Sequence, residues 1–110
     1  MKVGELRAAV RVAVSKRGNL NEGSAWFPCI VMDISDHGFA LVCNRPLIVG
    51  QVLDFRAELF PQKYLDCKVE IRHFSEAGAG TKITEIDDKA LSLWQLFLQE
   101  QYSDQLNRSG

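Results

Sequence analysis

The stretch that most constrains the fold is YLDCKVEIRHF, residues 64–74. Leu65, Cys67, Val69, Ile71 and His73 share one side of an extended chain, and Asp66, Lys68, Glu70 and Arg72 share the other. Successive strand residues point to opposite faces. A period of two with one apolar and one charged face is therefore the pattern of a half-buried strand in an antiparallel sheet.

Five further runs read the same way. RVAVSKR (11–17) alternates and gives way to the polar loop GNLNEGS (18–24). WFPCIVMDIS (26–35) and GFALVC (38–43) flank a turn, and NRPLIVGQ (44–51) is a loop carrying Pro46 and Gly50. VLDFRAELF (52–60) alternates again, SEAGAG (75–80) reads as a turn, and TKITEI (81–86) as a last strand. Six short strands on hairpin-sized loops predict an all-β barrel or sandwich.

The end of the chain changes period. In IDDKALSLWQLFLQEQY (86–102), apolar residues recur at Leu91, Trp94 and Leu98 and at Ala90, Leu93 and Phe97, a helical spacing. Asp87 is placed as the N-cap, and Asp88 stands in the first turn where the helix dipole favours an acid. The apolar face is wide enough to cover a barrel opening and leave Leu96 or Tyr102 for another surface. SDQLNRSG (103–110) reads as a frayed polar tail.

With 110 residues, 46% of them hydrophobic and 25% charged, the chain suits one domain with one core. The reading divides it into an arm (1–10), a barrel (11–86), a helix (87–102) and the tail. Thirteen basic residues against fourteen acidic ones, net −1, exclude a nucleic-acid polymer bound by bulk charge. No stretch reaches the roughly 18–20 apolar residues of a membrane span. Glu5 and Arg7 stand where a signal peptide needs an apolar core, so no membrane insertion and a cytoplasmic location are expected. Cys29, Cys43 and Cys67 are odd in number, widely spaced and in strand-like runs, and read as small buried apolar residues.

Catalytic and metal motifs are missing. The histidines are His37, in a turn, and His73, near a strand end. There is no GxSxG, HExxH, P-loop or CxxC. The chain is read as neither an enzyme nor a metal or cofactor carrier.

Two polar signals remain. In VMDISDHGFAL (31–41), Asp33 and Ser35 lie two apart, which in a strand turns both to one face beside a DHG turn. Asp, Ser and Gly are ordinary turn formers, so the pair is either turn chemistry or a polar cradle for a ligand. In ELRAAVRVAV (5–14), Arg7 and Arg11 lie four apart. Their planar five-donor forks suit phosphates and the O6/N7 edge of guanine, or they are solvated surface charges.

Taken together, RAAVR followed by DISDHG resembles the PilZ domain, whose motifs are RxxxR and (D/N)xSxxG. Arg7, Arg11, Asp33, Ser35 and Gly38 meet all five positions. The resemblance extends over residues 5–102, including the strand leading into DIS, GQVLDFRAEL, GTKITEID and the closing helix. It implies a six-stranded antiparallel β-barrel that binds the bacterial second messenger cyclic di-GMP. Arg7 and Arg11 would grip phosphates and guanine edges from an arm folding over the ligand. Asp33 would accept from guanine N–H groups, Ser35 would bond a guanine edge or the ligand backbone, and Gly38 would let the backbone approach closely. His73 or Phe74 at the end of the fifth strand would stack on a base, or pack as rim and core. Lys82 would meet a phosphate or stay solvated. Leu6 replaces a basic residue that many PilZ domains carry before RxxxR, which favours one ligand per chain over two. With no output module in these residues, the signal is expected to pass to a protein partner, in settings such as motility, pilus assembly, exopolysaccharide synthesis or chemotaxis. The competing expectations are a PilZ-fold interaction module without ligand, and a small barrel binding single-stranded nucleic acid. The mixed-sign face of 64–74 argues against the last.

Overall fold

The computed structural model describes residues 11–109, with side chains as far as Leu106. Its strands are β1 (Val12–Asn21), β2 (Trp26–Ile34), β3 (Phe39–Cys43), β4 (Val52–Phe60), β5 (Lys63–Ser75) and β6 (Gly78–Glu85), followed by helix α1 (Asp88–Ser109). The strands are antiparallel and close into a barrel in the order β1-β2-β3-β6-β5-β4. This is the expected six-stranded barrel with a C-terminal helix.

Leu65, Cys67, Val69 and Ile71 are buried, as their alternation requires. The alternation breaks at His73. The register of β5 on β6 shifts between Ile71 and His73, and such a bulge re-aims the side chains beyond it. His73 is exposed, and Phe74 lies 41% exposed rather than in the core.

Two expected loops are strand instead. Residues 18–21 continue β1, with Leu20 fully buried and Asn19–Asn21 paired with Asp54–Arg56 of β4. That pairing closes the barrel, and its backbone bonds outweigh the turn propensity of Gly and Asn. Similarly, 78–80 open β6, because Ala79 is buried between its partners Leu41 and Phe74. Only Glu76 and Ala77 turn the chain.

Helix α1 starts as its sequence dictates. The Asp87 carboxylate accepts the Ala90 N–H at 2.7 Å, filling a donor that the first turn leaves open. Trp94 and Phe97 are buried against the barrel end. A chain of ring contacts runs from Phe55 through Phe39 and Trp94 to Phe97 and Phe60, with centroids 4.5–6.3 Å apart. The helix runs on to Ser109, across the stretch read as a frayed tail. Gln105 explains part of this, since its Oε1 accepts the Ala13 N–H at 3.1 Å and ties the last turns to the start of β1. Leu96 and Tyr102 face outward as expected, and so does Leu106. Among the described residues, no helix is long and apolar enough to cross a membrane.

Candidate ligand site on the barrel wall

The site is built where β1 begins and the β2–β3 hairpin turns. On β2 the register slips between Val31 and Asp33, so Met32 is exposed and Asp33 half-buried on the outer wall. Ala13 of β1 pairs with Asp33, which carries the adjoining Arg11 alongside. Arg11 meets the Asp33 carboxylate twice, Nη2 at 2.7 Å and Nε at 2.9 Å, both on Oδ1. The Asp33–Arg11 pair is thus preformed across 22 residues of sequence.

Ser35 has a different setting from the one alternation implied. β2 ends at Ile34, and Ser35 is buried in the turn. Its N–H and its hydroxyl both donate to the Gly38 carbonyl, at 2.9 and 3.2 Å. Ser35 therefore shapes the loop from inside, while Asp33 presents its carboxylate outside. Gly38 is held against β6, where a Cβ would run into the Thr81 carbonyl oxygen. Ile83 N–H donates to the His37 carbonyl at 2.7 Å, and the Thr81 hydroxyl donates to the Phe39 carbonyl at 2.8 Å. These bonds stitch the DISDHG turn to β6.

The register then extends the wall sideways. Asp33 pairs with Ala40, Ala40 with Gly80, and Gly80 with His73. At 4.7–4.9 Å per strand, Asp33 and His73 stand roughly 14 Å apart across a floor of two small residues. The His73 ring lies across Gly80, in the space a Cβ would fill. Lys82, two residues further along β6, is exposed on the same side, and its backbone adjoins Gly38. Arg7 lies outside the described residues. Ala40, Gly80 and Thr81 were not singled out from sequence. Ala40 and Gly80 carry no functional group, and GAG looked like a turn.

A family model described as the PilZ domain matches residues 5–100. The chain belongs to the PilZ domain family. Among curated proteins, none is similar enough in sequence to match. Among solved structures, this PilZ barrel is similar to the one titled inhibitor of motility (MotI/DgrA) from Bacillus subtilis, with a TM-score of 0.71 at 18% identity over 89% of this chain. The likeness covers 50% of that protein, so the present chain spans about half its length. At that identity the likeness speaks for the fold. The residues matched by the family model include Arg11, Asp33 and the DISDHG turn.

Proposed function

We propose that this PilZ chain is a receptor for cyclic di-GMP that passes the signal to a protein partner, without catalysing a reaction. The observation that carries this reading is the Arg11–Asp33 pair on the open wall beside the DISDHG turn. An exposed ion pair contributes about 0–1 kcal/mol, so a ligand offering better partners separates it at little cost. Arg11 then turns to a phosphate or to the O6/N7 edge of a guanine, and Asp33 accepts from the guanine N–H groups. Ser35 and Gly38 hold the turn that aims Asp33. The small Ala40 side chain leaves room for a flat base beside the His73 ring, which itself covers Gly80, with Lys82 near a phosphate. Arg7 supplies the second guanidinium of RxxxR from the arm.

A few charge-assisted hydrogen bonds at about 1.5–3 kcal/mol each, less the entropic cost of association, reach the roughly −8 kcal/mol of micromolar binding. The response then runs through the arm and α1, because Gln105 ties the helix to Ala13, two residues beyond Arg11. The exposed Leu96, Tyr102 and Leu106 of α1 offer the partner an apolar foothold. The relative titled an inhibitor of motility makes motility the first output to assay. Isothermal calorimetry on the purified chain is expected to show saturable heat with cyclic di-GMP and far weaker binding of GMP and cyclic di-AMP. No heat, or equal affinity for the adenine analogue, removes the proposal and leaves the ligand-free interaction module.

A further inference from the structure

The β2–β3 hairpin carries a second chemical feature at its open end, away from the turn. Cys29 on β2 and Cys43 on β3 are direct cross-strand partners, followed in regular register by Ile30 with Val42 and Val31 with Leu41. Opposed residues of an antiparallel pair have Cα atoms about 4.5 or 5.5 Å apart and turn their side chains to the same face. Both spacings lie within the roughly 4.4–6.8 Å that a disulfide spans. Here the common face is the interior. Cys29 is buried in the core, and Cys43 is partly buried and packed against it.

The two thiols differ in access. Cys43 lines a surface cavity of about 270 Å³ shared with Leu41, Arg45, Pro46, Phe74 and Glu76, and its Sγ lies 3.2 Å from the Arg45 carbonyl oxygen. Cys29 is only 3% exposed. Burial, and then the neighbouring Cys43, push the Cys29 thiol up to about 12. Cys67 stands apart on β5, opposite Phe55.

We infer that Cys29 and Cys43 form a reversible cross-strand disulfide, an oxidation site that staples the hairpin bearing Asp33, Ser35 and Gly38. With a small disulfide oxidant of the glutathione type, the Cys43 thiolate attacks one oxidant sulfur. That step breaks the oxidant S–S bond, expels one small thiol and leaves a mixed disulfide on Cys43. The Cys29 thiolate then attacks the Cys43 sulfur and expels the second small thiol. One S–S bond is made for the one broken, and the protons of Cys29 and Cys43 finish on the two released thiols. Because Cys29 is buried and largely protonated, the second step is slow and quickens with pH. In a reducing compartment the pair rests as thiols.

The test uses the full chain treated with oxidised glutathione, denatured, and alkylated with N-ethylmaleimide. The expected product is 2 Da lighter than the reduced chain before alkylation and takes up one maleimide, on Cys67. Cleavage before Asp33 and Asp36 separates Cys29 from Cys43, so their peptides stay joined only through sulfur. Closing a loop of residues 29–43 is expected to raise the melting temperature by roughly 5–15 °C, reversed by reductant. Cys43→Ser, at a partly exposed position, is expected to fold and to lose the 2 Da change, while Cys67→Ala keeps it. Three alkylated thiols after oxidation, a bridge involving Cys67, or bridges found only between chains would overturn the inference. None of these outcomes depends on whether cyclic di-GMP binds.

Discussion

Arg11 and Asp33 hold one another in the open, with side chains 50% and 33% exposed. A pair this wet contributes little to the fold, so the proposed cyclic di-GMP site can be tested at these two residues with little cost to stability. Arg11→Ala and Asp33→Ala are each expected to weaken cyclic di-GMP ten- to hundredfold, the loss of a charged hydrogen-bonding group worth about 1.5–3 kcal/mol. Urea unfolding of the free variants should stay within about 1 kcal/mol of the parent. Gly38→Ala is expected to lower stability, because its Cβ meets the Thr81 carbonyl, and to weaken binding as well by displacing the turn that aims Asp33. An Asp33→Ala chain that loses stability but binds cyclic di-GMP as the parent does would return the DISDHG stretch to turn chemistry alone. Motif spacing singles out these residues but does not reveal their different settings in the fold. Asp33 and Ser35 seemed to share a face, yet a bulge and the end of β2 turn one outward and bury the other.

At the scale of elements, the strands and helix that bury one clean face were legible: 65–71 on β5, 52–60 on β4, and the Trp94–Phe97 side of α1. What the sequence hid were the ends, where distant partners decide. Residues 18–21 are strand because β4 pairs with them, 78–80 because β3 and β5 do, and the last turns of α1 meet β1 through Gln105. The helix allows a graded test of local against tertiary effects. Asp87→Ala removes one cap bond and should cost about 0.5–2 kcal/mol. Trp94→Ala empties the ring stack between Phe39 and Phe97 and should cost about 3–5 kcal/mol. Denaturant midpoints check both, and equal costs would mean that α1 contributes through its own helicity more than through the core. Trp94 adds a detail: among the described residues its indole N–H is buried without a hydrogen-bond partner. Trp94→Phe should therefore cost clearly less than Trp94→Ala, because it also removes an unmet donor.

The molecule as a whole encloses two cysteines whose protonation is tied to folding. Burial pushes Cys67 up to about 12, with Asp66 and Asp54 adding to it, and Cys29 reaches about 12 through burial and Cys43. In the unfolded chain both thiols titrate from 9.0. Between pH 9 and 12 the unfolded chain therefore gives up protons that the folded chain keeps. Deprotonation favours unfolding in that window, so this contribution to stability is complete below pH 9 and is lost as pH climbs towards 12. Each thiol contributes a slope of at most about 1.4 kcal/mol per pH unit. Lys68, raised by its hydrogen bond to Asp54, acts in the same direction at the upper end of the range. Urea unfolding in reductant at pH 7, 9 and 10.5 should show a plateau and then a decline. In Cys67→Ala the plateau drops, since a buried side chain has been cut back, but the decline beyond pH 9 becomes shallower. A variant that declines as steeply as the parent would show that the Cys67 thiol ionises within the folded barrel as readily as in the open chain, and that water reaches the interior face of β5.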